Sequence, residues 1–184
     1  IENGTLSIMA SCSSWNGVPM HGNSYLINDV LKGELGFEGF VVSDWAGIDL
    51  ISDDYYEAVV TAINAGIDMN MVPFNYPEYI DVMNQAIENG EISMARIDDA
   101  VSRILYAKFE MGLFEHPYSN PDFIEQIGSA EHRAVAQQAV SESLVLLRND
   151  DNTLPLTDAY GTIFVAGQGA DDIGMQSGGW TIEW

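Results

Sequence analysis

Gly36-Phe-Glu-Gly-Phe-Val-Val-Ser-Asp-Trp45 is the stretch that decides the fold. Phe40-Val-Val-Ser43 is a short β-branched and aromatic run without polar alternation, too short for a helix, so it reads as a strand. A helical pattern precedes it over residues 23–36, with Leu26, Ile27, Val30, Leu31 and Leu35 on one face and Gly36 as its stop. Before that, Thr5-Leu-Ser-Ile-Met-Ala10 reads as a buried strand. Downstream, Asp54 to Ala65 has helical spacing through Ala58, Val59, Ala62 and Ile63 and stops at Gly66. Asp68-Met-Asn-Met-Val72 reads as a third strand. Pro77 suits the first turn of a helix supported by Ile80, Met83 and Ile87 and ended by Gly90. Ser93 caps the next helix, with Ile97, Val101, Ile104, Leu105 and the stem of Lys108 inward and Gly112 closing it. Strands recurring at roughly 30-residue intervals, with helices between, are the βα units of a parallel sheet. A barrel and an open doubly wound sheet both satisfy the pattern. The dinucleotide-binding version is weakened, because no Gly-x-Gly-x-x-Gly opens a helix after a strand.

Beyond Gly112 the character changes. Residues 113–128 are rich in turn formers and read as a linker. Residues 129–143 read as a helix with Val135, Ala136, Ala139 and Val140 inward. Leu144-Val-Leu-Leu147 reads as a strand, Asn149–Thr153 as a turn and Thr162-Ile-Phe-Val-Ala166 as a further strand. Together they are expected to begin a second α/β domain.

The chain carries 28 acidic and 6 basic residues, a net charge of −22. Such a surface repels phosphate backbones, which argues against a nucleic-acid partner. A neutral polymer such as a polysaccharide meets no such repulsion, and the acidity itself is read as a solubility feature. No apolar run approaches the roughly 20 residues of a membrane helix. The single Cys12 leaves neither an internal disulfide nor a cysteine-based metal site. Neither Ile1 nor Trp184 reads as a natural terminus, so the expectation is an internal piece of a longer protein.

Asp44 follows an apolar strand directly. The carboxyl ends of strands are where parallel α/β folds build their sites, so the acid points to the mouth of the fold; capping the following turn is the alternative. Trp45 offers a flat apolar face suited to a sugar ring. Trp15-Asn16-Gly17 is read as an ordinary turn. His21, His116 and His132 lack a second histidine at ligand spacing and are expected to be surface or turn residues. Met71, near the end of its strand, either fills the core, as methionines usually do, or lines a site, while Asp68 at the strand's start is expected to make a structural hydrogen bond. Gly167-Gln-Gly169 is followed by Asp171 and Asp172 and lacks the Lys of a phosphate loop, so phosphate binding there is rejected. Gly178-Gly179-Trp180 has the shape of a ring-stacking loop, with a packed core tryptophan as the alternative.

Several segments together resemble glycoside hydrolase family three. They are Ser11-Cys-Ser-Ser-Trp-Asn-Gly17, Gly36 to Trp45, Gly47-Ile-Asp49, Ala65-Gly-Ile-Asp-Met69 and Met71-Val-Pro73. Arg96 to Leu105, Met111-Gly-Leu-Phe114, Ser143 to Asn149 and Gly178-Gly-Trp-Thr181 continue the likeness in order along the chain. The branch it resembles is that of the β-glucosidases and exo-acting β-glucan glucohydrolases. The resemblance implies the C-terminal portion of a (β/α)8-type barrel over residues 1–112. A linker and connecting helix would follow over 113–143, and the start of an α/β sandwich domain over 144–184. It implies a retaining hydrolase with Asp44 as nucleophile and an acid/base glutamate beyond Trp184, so Glu183 is not given that role. It implies that Trp45 and Trp180 clamp a β-glucan or β-glucoside with Met71 nearby, and that no cofactor or metal is needed. It also implies a secreted or periplasmic location. An N-acetylglucosaminidase or xylosidase of the same family and a non-catalytic carbohydrate-binding relative are the alternatives. The chain departs from the family pattern at Cys12, where a tyrosine is usual, at Ala46, often a glutamate, and at Leu50, a basic position; these bear on subsite contacts.

Overall fold

The structure, a computed structural model, describes residue 1 and residues 3–178. It divides into two compact units, residues 1–120 and 121–184.

The first unit is built on parallel pairing. Strand β1 (Ser7–Met9) lies beside β4 (Phe40–Val42), with Ser7 opposite Phe40 and Met9 opposite Val42. Between them the chain forms a short antiparallel hairpin, β2 (Ser14–Trp15) and β3 (Val18–Pro19). Its turn is Asn16-Gly17, both at positive φ, which matches the twist of the two strands. A helix over Tyr25–Glu34 then returns the chain to β4. The sequence pattern suggests an α-helix here, but the segment takes wide π-type turns, as in the Leu35 N–H to Val30 C=O bond.

Helix α1 (Tyr55–Ala65) starts where the Asp54 carboxylate accepts the Glu57 N–H and ends at Gly66. The third parallel segment is shorter than the expected strand over residues 68–72 and pairs only at Met69, opposite Val42. The reason is local. The N–H groups of Asp68 and Met69 both donate to the Val41 carbonyl, and the Asp68 carboxylate takes the Val41 N–H. A side chain and a doubled acceptor thus replace the regular ladder. Helices α2 (Tyr76–Glu88), with Pro77 in its first turn, and α3 (Met94–Glu110), capped by Ser93, complete the unit.

The core is where these elements meet. Ile27, Phe37, Val41, Ile48, Val59, Ile63, Ile67 and Ile92 are buried together. Each such side chain contributes roughly 1.5–3 kcal/mol relative to exposure. Two expected faces are less covered. In β1, expected to be buried, Ile8 packs on the core, while Ser7 and Met9 point to the opposite face, which nothing covers among the described residues. On α3, Ala100 and Ala107 are the buried residues, while Val101 and Leu105 are exposed.

The second unit has a different texture. A 3-10 helix over Pro121–Gln126 precedes α4 (Ala130–Ser143), capped by Ser129, and a short α5 (Ile173–Ser177) capped by Asp172. The strands expected at residues 144–147 and 162–166 are absent among the described residues, and their side chains are exposed. An extended run becomes a strand only when a neighbour takes its N–H and C=O groups, and neither run finds one here. The same lack of a covering surface leaves Val135 and Val140 of α4 exposed instead of inward. Among the described residues, no helix is long and apolar enough to cross a membrane.

Candidate active site

The carboxyl end of β4 presents Ser43 and Asp44. Hydrogen bonds leave the strand in two directions. The Phe40 N–H donates towards β1, to the Leu6 carbonyl, and the Ser43 N–H donates towards the third segment, to the Met69 carbonyl at 2.9 Å. Ser43 is fully buried and staples the strand end on three sides. Its hydroxyl donates to the Asp44 carbonyl at 2.9 Å and accepts the Met71 N–H at 2.7 Å. The Ala46 N–H donates to the Met71 carbonyl, so the Asp44–Ala46 turn and the Met71 segment lie side by side.

Asp44 sits half-buried at this end. Its carboxylate accepts the Trp45 N–H at 2.7 Å. That bond, followed by the Cys12 thiol and backbone N–H, holds the carboxyl below the usual aspartate range, because all of them favour the charged form. In return, burial and the neighbouring carboxylate push the Cys12 thiol up. Ala46 follows at φ 50°, a left-handed conformation that costs a non-glycine residue on the order of 1–2 kcal/mol. It turns the chain sharply after the indole.

Trp45 stands 49% exposed, with its ring edge-on to Phe74 at 6.2 Å between centroids and 84° between planes. Beside this pair runs a cleft of about 370 Å³, lined among others by Ala46, Tyr55, Met71, Phe74 and Glu78. Of the residues chosen from sequence, Met71 lines this cleft, while Asp44 and Trp45 lie in the adjoining turn, which the Ala46 N–H ties to the Met71 carbonyl. Trp180 lies outside the described residues.

His21 overturns its expectation. It is not a surface or turn residue but fully buried, and its Nε2 accepts the Asp44 N–H at 3.0 Å. Burial pushes its pKa down, which keeps the ring neutral and able to accept. Nothing in its sequence spacing marks it, since the group it meets is a backbone amide. Phe74 also escapes the sequence reading; an aromatic next to Pro73 in a loop carries no periodic signal. His116 and His132 are exposed, as expected. Asp68 makes the structural bond expected of it, to the Val41 N–H at 2.8 Å. Among the described residues, no group of three or more His, Cys, Asp and Glu is placed to hold a metal ion.

A carboxyl held below the usual aspartate range at a parallel strand end, next to an exposed indole, is a combination suited to attack on a sugar. The family model of the glycosyl hydrolase family 3 N-terminal domain matches residues 1–107. The chain belongs to that family. A lysosomal β-glucosidase of Dictyostelium discoideum is 37% identical over 98% of the chain, and a periplasmic β-glucosidase of Salmonella typhimurium is 38% identical over 98%. The family 3 chain spans about a quarter of these relatives, 23% and 25% of their lengths. Among solved structures, the exo-1,3/1,4-β-glucanase of a Pseudoalteromonas species superposes with a TM-score of 0.83 at 44% identity, covering 98% of this chain and 23% of that one.

Proposed function

We propose that this chain is part of a retaining β-glycosidase that releases glucose from β-linked glucans or oligosaccharides, with Asp44 as its nucleophile. The observation that carries the reading is the Asp44 carboxylate at the end of β4, which accepts the Trp45 N–H at 2.7 Å beside an exposed indole. In the first step an Asp44 oxygen bonds to the anomeric carbon as the bond to the leaving oxygen breaks, and a second carboxyl group gives that oxygen its proton. In the second step the same group takes a proton from water, and the resulting hydroxide displaces Asp44. That acid/base must stand about 5 Å from the nucleophile. It is assigned to a glutamate outside this chain. Trp45, Met71 and Trp180 are assigned to the sugar, the two tryptophans as stacking faces. The names of the glucosidase and glucanase relatives support the substrate class.

The finer architecture belongs to the same reading. Residues 1–112 form the C-terminal portion of a (β/α)8-type barrel, residues 113–143 the connection and residues 144–184 the start of an α/β sandwich. Three parallel segments separated by helices support the barrel. The exposed apolar run Leu144–Leu147 supports a sheet completed by other parts of the parent chain. Lysosomal and periplasmic relatives support a secreted or periplasmic setting.

The test uses the complete enzyme that contains this chain. Asp44→Asn abolishes turnover of a nitrophenyl β-glucoside, assayed against the xyloside, while circular dichroism stays unchanged. A 2-fluoro-deoxyglucoside labels the enzyme, and peptide mapping places the label on Asp44. A label on any other carboxylate sinks the assignment.

A further inference from the structure

We infer that His21 is a positioning residue for the Asp44 nucleophile, acting through the main chain: its Nε2 fixes the Asp44 amide where the parallel sheet no longer can. The inference rests on the reading of Asp44 given above.

Strand geometry defines the problem. Amide groups of β4 alternate between its two neighbours, Phe40 towards β1 and Ser43 towards the third segment. By that alternation the Asp44 N–H faces the β1 side. There the ladder has ended, because the last paired residues are Met9 and Val42. An amide left without an acceptor is destabilising when buried, and it leaves the backbone that carries the carboxylate less constrained. The hairpin of β2 and β3 brings Met20–Gly22 back to this point, and His21 supplies the missing acceptor at 3.0 Å.

Two further observations show that the ring is held for this contact. A Cβ on Gly47 would lie 2.3 Å from Nε2 and 2.4 Å from Cε1, so the turn after Asp44 closes over the imidazole only because residue 47 has no side chain. Since Nε2 accepts, the proton of the neutral ring sits on Nδ1. Nδ1 is buried and has no hydrogen-bond partner among the described residues. An apolar residue of similar size would avoid that cost but orphan the Asp44 N–H. The site keeps the orphan on the histidine and satisfies the nucleophile's backbone instead. An imidazole serving only as packing has no reason to aim one nitrogen at this amide.

The experiment compares His21→Met, His21→Gln, Gly47→Ala and Asp44→Asn in the complete enzyme. Gln carries an acceptor oxygen near the Nε2 position, whereas Met fills the space with no acceptor stronger than a thioether sulfur. Rapid-quench measurement of the glycosylation step, steady-state KM and the urea midpoint are the readouts. His21→Met is expected to slow glycosylation on the order of ten-fold with KM changed by less than about two-fold. His21→Gln restores the rate to within about three-fold of the parent. Gly47→Ala, which displaces the ring from outside, reproduces the loss in rate and keeps the comparison alive if His21→Met does not fold. Equal rates in His21→Met and the parent overturn the inference. So does an equal loss in His21→Met and His21→Gln that follows their urea midpoints, because that is packing alone. Retained turnover in Asp44→Asn overturns the nucleophile reading instead, whatever the His21 variants do.

Discussion

The Asp44 carboxylate is set by its donors more than by its depth. The Trp45 N–H is supplied by the backbone and survives any side-chain change, whereas the Cys12 thiol does not. The sign of the expected effect follows from the charge that each donor stabilises. A donor to the carboxylate favours its ionised form, so Cys12→Ala raises the Asp44 pKa. The nucleophile is then protonated at higher pH, and the acid limb of kcat/KM moves upward in pH. Cys12→Ser keeps a donor and is expected to leave the limb at or below its parental position. Coincident acid limbs for the alanine, serine and parent enzymes show that the thiol has no part in holding Asp44. The same residue illustrates what sequence can and cannot carry. Asp44 and Trp45 are legible at the end of β4 because the stop of a short apolar run is a local feature. The thiol's contact with Asp44 and the His21 acceptor are not, since both depend on the hairpin that folds Ser11–Gly22 back over β4.

At the level of elements, helices α1 to α4 are legible from the chain because their signals are local, whereas the short α5 is not foreseen. Asp54, Ser93 and Ser129 stand one residue before α1, α3 and α4, and each side chain accepts an N–H of the first turn. Sheet pairing is not local, and there the expectations fail. The third strand shrinks to one bridge because Asp68 commits its carboxylate to the Val41 amide, and the runs at 144–147 and 162–166 have no neighbour to pair with among the described residues. The π-type turns over Tyr25–Glu34 likewise have no periodic signature that separates them from an α-helix. The end of α1 is both local and tertiary. Gly66 takes φ 108° and caps the helix, and a Cβ there would lie 2.3 Å from Asn28 Oδ1 and 2.7 Å from Ile27 Cγ2. Asn28 is held in place by donating to the Asn64 carbonyl at 3.0 Å, and Ile27 belongs to the core, so neither yields cheaply. Gly66→Ala is therefore expected to cost on the order of 2–3 kcal/mol, read as a lower urea midpoint. A loss under about 0.5 kcal/mol means that α1 and the Tyr25–Glu34 helix part without penalty.

At the scale of the first unit, a chain with 28 acids and 6 bases gathers three of those bases around one buried carboxylate region. Asp68 accepts from the Val41 N–H of β4, from Lys32 at 2.8 Å and from Arg96, which also donates to the Ile63 and Ile67 carbonyls. Asp99 joins Arg96 to Arg103, and Arg103 donates to the Phe37 and Gly39 carbonyls just before β4. One network thus ties the Tyr25–Glu34 helix, β4, the end of α1 and α3 behind the strand that presents Asp44. Its net worth as charge pairing is small, because desolvating Lys32 and Asp68 offsets much of their attraction. Its asymmetry is what matters. Asp68→Ala leaves two buried cations and the Val41 N–H without their shared acceptor, and is expected to cost on the order of 3–5 kcal/mol. Arg96→Met costs less, because Lys32 still faces the Asp68 carboxylate and a methionine fills the space. Chemical denaturation of the complete enzyme at fixed pH orders the two variants. A loss for Asp68→Ala no larger than that for Arg96→Met would mean that the cations find other acceptors. In that case β4 is held by its apolar contacts alone, and the network does not fix the strand that carries the nucleophile.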